Sequence, residues 1–194
     1  MLQGPALLER LRSLPFTDRD AWVDAMLCID GLPDDAPGLP RESVPYLPAG
    51  VEEILAAVLE APITARDEFV DLGSGLGRVV MLVHLLTGAR ARGIELQEAL
   101  VASARALSAN FEGVSFVHAD AAAVPLDGSI FFLYAPFSGE MLARALERLE
   151  EVAARRPIIV CAVGLEFHHL RWLAPRKSSS LQLILYDSCR PTPE

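Results

Sequence analysis

The chain is expected to fold as an α/β domain: a doubly wound, mostly parallel sheet of seven strands with an antiparallel edge strand, plus a short helical N-terminal extension. Three observations lead there. Residues 69–80 read FVDLGSGLGRVV, an apolar strand that breaks at glycines and resumes as a helix. From there to Val163, short apolar runs alternate with segments of helical periodicity, which demands parallel strands joined by crossover helices on both faces. After Val163 two further strand-like runs have no long helix between them, which suits an antiparallel edge.

The elements follow in order. Residues 5–14 and 18–29 read as two short helices, with Thr17 and Asp20 spaced as a capping box before the run Ala21, Trp22, Ala25, Met26 and Ile29. Residues 32–48 carry Pro33, Pro37, Pro40, Pro45 and Pro48, so this stretch cannot be a helix and makes a poor strand. It is either a connector wrapped around the domain or a flap over a ligand. Residues 1–48 thus read as an extension packed on a domain of residues 49–194. Residues 51–60 form a helix with Val51, Ile54, Leu55, Val58 and Leu59 on one face, stopped by Pro62.

The first strand and its glycine turn come next, then a helix over residues 76–86 ended by Gly88. Residues 91–96 are the second strand and 98–109 its helix. Residues 114–119 are the third strand and 129–135 the fourth. Residues 139–154 form a charged amphipathic helix, with Ser138 at its N-cap and the pairs Glu140–Arg144 and Glu151–Arg155 in the favourable i,i+4 order. Residues 157–163 are the fifth strand. Residues 181–187 and a short partner near 171–176 complete the sheet, with 177–180 as their turn.

Composition narrows the function. The 194 residues suit one domain, and a hydrophobic fraction of 52% is ample for one core. A net charge of −9 argues against a broad nucleic-acid-binding face and favours a small molecule or a basic protein segment as partner. Cys28, Cys161 and Cys189 are odd in number and far apart, which speaks against a zinc site or disulfide framework and for a reducing compartment. Glu9, Arg10 and Arg12 interrupt the one candidate signal sequence, and no run approaches the ~20 apolar residues of a membrane span. A cytoplasmic protein with no metal and no membrane partner is expected; oligomeric state is not legible.

The glycine turn is the chemical centre. Glycine allows positive φ and close approach of a ligand to backbone. Gly73, Gly75 and Gly77 do not match the dinucleotide pattern G-x-G-x-x-G, because the third glycine falls one residue early and Arg78 stands where that pattern has glycine. Asp71, at the end of the strand, would repel a pyrophosphate and favour a ligand carrying an ammonium group. Ligands of such sheets sit beyond the carboxyl ends of the strands. There the first three strands present Asp71, Glu95 and Asp120, and the fourth ends in Tyr134, Ala135 and Pro136.

DLGSGLGR resembles the first motif of the seven-strand, Rossmann-like S-adenosylmethionine-dependent methyltransferases, and the resemblance runs over about residues 46–187. It implies S-adenosylmethionine as cofactor. Its methionine end would lie along Gly73, Ser74, Gly75 and Gly77 beside Asp71. Glu95 would take the ribose diol, and Asp120 with the backbone of Ala121 would take the adenine edge. The methyl acceptor would lie by the end of the fourth strand, near Tyr134. That strand reads LYAPF and lacks the Asp/Asn-Pro-Pro-Tyr/Phe motif of adenine and glutamine methylases, which counts against a nucleic-acid base. Tyr46-Leu47-Pro48 is similar to the Y-x-P segment of a subgroup that includes protein lysine methylators, which makes Tyr46 a second candidate catalytic residue.

A protein lysine or a small molecule is the expected acceptor. The rival readings are a catalytically silent S-adenosylmethionine-binding protein and a nicotinamide-dependent oxidoreductase. Asp71 and the glycine spacing speak against the second. His84 and His118 read as structural, and His168 and His169 with Glu166 as a polar loop rather than a base. Trp22 and Trp172 read as core.

Overall fold

The computed structural model describes residues 1–31 and 33–189. Two short helices open the chain, α1 (Gly4–Ser13) and α2 (Arg19–Leu27), joined by a short 3-10 helix at Phe16–Asp18. Then come α3 (Val51–Glu60), β1 (Glu68–Leu72), α4 (Arg78–Thr87), β2 (Arg90–Glu95), α5 (Glu98–Leu107), β3 (Val114–His118), β4 (Ile130–Tyr134), α6 (Gly139–Arg155), β5 (Ile159–Val163), β6 (Leu173–Arg176) and β7 (Leu183–Ser188).

The seven strands form one sheet in the order β3-β2-β1-β4-β5-β7-β6. The first five pair in parallel, while β7 is antiparallel to both β5 and β6. The order of the strands reverses between the parallel neighbours β1 and β4, so this is the switch point at which a crevice opens. Period-2 alternation sorts the strand residues onto two cores. Phe69 and Phe132 join Leu7, Leu11, Val23, Ile54 and Val80 on the face covered by α1 to α5. Val70, Leu72, Phe131 and Leu133 join Leu146, Leu149 and Trp172 on the α6 face. Among the described residues no helix is long and apolar enough to cross a membrane.

Several local expectations need correction. Thr17 and Asp20 form no capping box: the N-cap is Asp18, without a side-chain cap, and Asp20 instead accepts the Val51 N–H at 2.8 Å, capping α3. Ser138 stands at the N-cap of α6 but contributes no cap bond. Its place is taken by Glu42, whose carboxylate accepts from Glu140 N (3.1 Å) and Met141 N (2.9 Å). Arg144 does not pair with Glu140; it reaches across to Asp120. Arg148, not Arg155, partners Glu151. In each case a long-range partner or a shorter side-chain path outcompetes the local one, as is common for weak helix-surface pairs. Trp22 is half-buried and carries Arg10 over its ring at 5.6 Å, while Trp172 is buried as expected.

Candidate active site

The glycine turn takes the conformation its residues allow and others resist. Gly73, Gly75 and Gly77 have φ of 83°, 52° and 81°, the left-handed region that suits glycine. Each also lacks room for a side chain. A Cβ on Gly73 would collide with Pro136, one on Gly75 with the ring of Tyr46, and one on Gly77 with the ring of Phe116. Gly77 therefore starts α4 against β3. Gly73 faces the crevice, and Gly75 is covered by the strap that precedes α3. Ser74 turns under the loop: its Oγ is buried against Gly93, without a hydrogen-bond partner.

The crevice at the switch point has a volume of about 170 Å³, with Gly73, Glu95, Asp120, Ala121, Tyr134 and Tyr46 in its lining. A smaller adjoining cavity of about 20 Å³ is lined by Asp71, Ser74, Arg78, Phe132 and the same two tyrosines. The expected carboxylates thus converge. Asp71 is 2% exposed, and burial, reinforced by the charge of Glu95, pushes its carboxyl well above the usual range. Glu95 is held from both sides: one oxygen accepts the Gly75 N–H at 2.9 Å, the other the Gln97 N–H at 2.8 Å. Asp120 accepts the Ala122 N–H at 2.9 Å and pairs with Arg144, so two of its acceptor positions are already used.

The fourth-strand side is apolar. Pro136, Phe137 and Met141 share the crevice wall with Tyr134 and with Val44 and Leu47 of the strap. Ala135 has a φ of 36°, an uncommon backbone for a residue with a Cβ, at the tip of the strand where strain gathers at functional sites.

The proline-rich stretch proves to be a strap across this crevice. Val44 N donates to Pro136 O at 3.1 Å, Ser138 N to Glu42 O at 2.8 Å, and Ser43 bridges to Phe137. On the other side Tyr46 N donates to Asp35 Oδ1 at 3.0 Å, and Gln97 Nε2 donates to the same oxygen at 2.7 Å. The Tyr46 hydroxyl is pushed up to about 12, chiefly by burial; the charge of Arg78 and a backbone hydrogen bond from Leu76 pull the other way.

The histidines stay out of the site. His84 bonds to Ala89 O (2.8 Å), and His118 to Leu96 O (2.9 Å). His168 is exposed and lies 3.9 Å from Glu166, and His169 is exposed beside it. Among the described residues no cluster of His, Cys, Asp or Glu is arranged to hold a metal. Gln97, Asp35 and Arg78 were missed as site residues. Only Gln97 carried a signal, its position two residues past Glu95; the others matter through contacts that no local spacing shows.

Comparisons with known proteins agree with the fold. The family model described as "Histone methylation protein DOT1" matches residues 50–118, from the start of α3 to the end of β3. An RNA methyltransferase from Salinibacter ruber, solved with S-adenosyl-L-homocysteine, is similar at a TM-score of 0.56 and 23% identity, over 73% of this chain and 92% of that one. A point mutant of MtNAS in complex with S-adenosylmethionine is similar at a TM-score of 0.60 and 12% identity, over 72% of this chain and 62% of that one. A comparison with curated protein sequences finds no match. The fold is that of the seven-strand, class I methyltransferases. The cofactor of that class is S-adenosylmethionine. The residues present fit it: a buried acid, a backbone cradle that a Cβ would fill, and a carboxylate at the end of β2.

Proposed function

We propose that the protein transfers the methyl group of S-adenosylmethionine to the side-chain amine of a protein lysine. The observation that carries this reading is the meeting of two unlike halves in one crevice. Acidic strand ends and a glycine turn lie on one side, and an apolar wall of Tyr46, Tyr134, Pro136 and Phe137 on the other. The acidic half suits a ligand with an ammonium and a sulfonium. The apolar half suits the four-carbon stem of lysine, whose polar head is at the tip. The family description that matches residues 50–118 names a protein-methylating activity, and the net charge of −9 favours a basic segment as partner.

Asp71 would hold the ammonium of the cofactor, the backbone of Gly73 its amino-acid end, Glu95 the ribose, and Asp120 with Ala121 the adenine. The bound cofactor supplies an activated methyl on sulfur. The protein contributes proximity and a shaped, partly dry crevice. Tyr46, with its hydroxyl pushed up to about 12, stays protonated at neutral pH and serves as a donor and a wall rather than as a base. Tyr134 forms the wall on the acceptor side.

Methyl-labelled S-adenosylmethionine tests the reading, offered with a lysine-rich basic protein, with small-molecule amines and with RNA in separate reactions. Label on lysine of the protein is expected. Label only on a small amine or on RNA overturns the acceptor class. Tight cofactor binding with no transfer in any reaction leaves a binding protein instead.

A further inference from the structure

We infer that Asp35 and Gln97 are positioning residues of the cofactor site, and that one shared carboxylate oxygen holds the Tyr46 strap to the Glu95 corner. The inference rests on the cofactor reading above and adds residues that neither the glycine motif nor the strand ends supply.

The contacts close on themselves. Gly75 N donates to Glu95 Oε2, and Gln97 N donates to Glu95 Oε1. Gln97 Nε2 donates to Asp35 Oδ1, and Tyr46 N donates to that same oxygen. The ring of Tyr46 then lies against Gly75, where a Cβ could not fit. Five residues from the strap, the glycine turn and the end of β2 thus form one circuit around the crevice.

The circuit has a fixed polarity. Ala36 N donates to Gln97 Oε1 at 2.7 Å, so the other end of that carboxamide must be the donor facing Asp35. Gln97 is 5% exposed, and a buried amide without partners is costly, so both of its ends are committed. Eleven positions separate Asp35 from Tyr46, with Pro37, Pro40 and Pro45 between them. A stretch already stiffened by proline needs few ties to hold one shape, so a single carboxylate can fix the position of the aromatic ring. Pre-fixing the ring and the Glu95 carboxylate lowers the ordering cost of binding.

The pair is testable by exchanging its polarity. Gln97→Glu sets a second carboxylate against Asp35 and removes the donor. Adding Asp35→Asn restores a donor facing an acceptor and returns the net charge to that of the parent. The amino group then stands where Tyr46 N needs its acceptor, so the side-chain pair is rescued and the strap tie is not. Calorimetric titration of the full chain with S-adenosylmethionine and with S-adenosylhomocysteine reads the outcome. Gln97→Glu is expected to weaken both ligands by about tenfold, and the double variant, which regains the side-chain pair but not the shared oxygen, to remain about threefold or more weaker than the parent. An added negative charge would by Coulomb attraction strengthen a cationic ligand, so weakening points to lost geometry.

If folded Gln97→Glu, or the double variant that lacks the shared oxygen, binds as the parent does, the inference is overturned while the cofactor reading stands. If the parent binds neither ligand, both fall. If Gln97→Glu does not fold, Asp35→Ala in the half-buried strap decides instead. About fivefold weaker binding at an unchanged thermal midpoint supports the role, and unchanged affinity removes it.

Discussion

Arg78 of α4 grips Asp24 of α2 at two points across 54 residues of sequence, Nε on Oδ1 at 2.8 Å and Nη2 on Oδ2. Its remaining nitrogen donates to Ala49 O at 3.0 Å and lies 3.5 Å from Asp20. The residue that closes the glycine motif therefore fastens α2 and the end of the strap to the glycine turn. The Arg78 side chain is 6% exposed and that of Asp24 is 27% exposed. Breaking such a pair from one side leaves a largely buried charge and a carbonyl without partners. Arg78→Leu is expected to cost about 3 kcal/mol, the low end for a buried pair because Asp24 keeps some water. Chemical denaturation measures it. A loss under about 1 kcal/mol, as for an exposed pair, would mean the clamp contributes little.

The strands, the glycine turn and the acidic strand ends were legible because each is carried by local pattern: apolar runs alternating with helical periodicity, a glycine run, a carboxylate where an apolar run stops. What was not legible is what reaches across. Glu42 caps α6 from 98 residues away, and nothing in the strap marks it as a cap. Ser138 has the right residue type at the right place, yet its hydroxyl turns to Glu42 O at 3.4 Å. The role of residues 32–48 stayed open between connector and flap for the same reason. Prolines announce the absence of helix but not the course of the chain, which here is set by Asp35, Glu42 and the backbone of Pro136. Leu32 and residues 190–194 lie outside the described residues.

Glu95 has two duties. Its oxygens brace Gly75 and Gln97, and it lines the crevice at the end of β2. Glu95→Ala is therefore expected to weaken S-adenosylmethionine by about 1–3 kcal/mol, the range for hydrogen bonds to a charged group. It should also lower thermal stability, since two backbone N–H groups lose their acceptor. Titration and a melting curve on the same preparation separate the two effects. Parental affinity in the folded variant would remove Glu95 from the cofactor site.

Asp71 should couple cofactor binding to protons. Its carboxyl is raised from an ordinary 3.8, first by burial and then by Glu95. The sign follows from linkage. A folded-state value above the unfolded one means the folded protein holds the extra proton, so stability rises as pH falls through the raised value. Above that value the buried charge is a cost. A cationic ligand reverses the preference, because it favours the carboxylate. Binding near and below the raised value should thus release a proton, and affinity should increase with pH there. Tyr46 and Arg78 share the smaller cavity with Asp71 and Glu95 adjoins it, so Asp71→Asn is the control that isolates the group. Titration heats in two buffers of different ionisation enthalpy measure the proton. Equal heats in both would show that no proton moves.

Tyr46 should matter through its ring more than through its hydroxyl. The ring covers Gly75 so closely that a Cβ there would collide with it. It shares the lining of both cavities with Gly73 and Tyr134. The backbone of Tyr46 is tied to Asp35, and Pro45 and Pro48 stiffen the chain on either side. The hydroxyl stays protonated at neutral pH, so its loss removes at most a hydrogen bond. Tyr46→Phe should retain cofactor affinity and turnover within about 1.5 kcal/mol, the net worth of such a bond. Tyr46→Ala should lose affinity by about 2–4 kcal/mol, because it opens the wall over Gly75 and leaves a void where an aromatic side chain packed. Gly75→Val meets the same contact from the other side. It strains a backbone at φ 52° and drives a branched side chain into the Tyr46 ring, so it should abolish binding while the distant edge strands β6 and β7 keep their fold. Titration with S-adenosylmethionine, circular dichroism and single-turnover transfer on the three variants decide the matter. Parental binding by Tyr46→Ala and Gly75→Val together would place the cofactor elsewhere than under the strap.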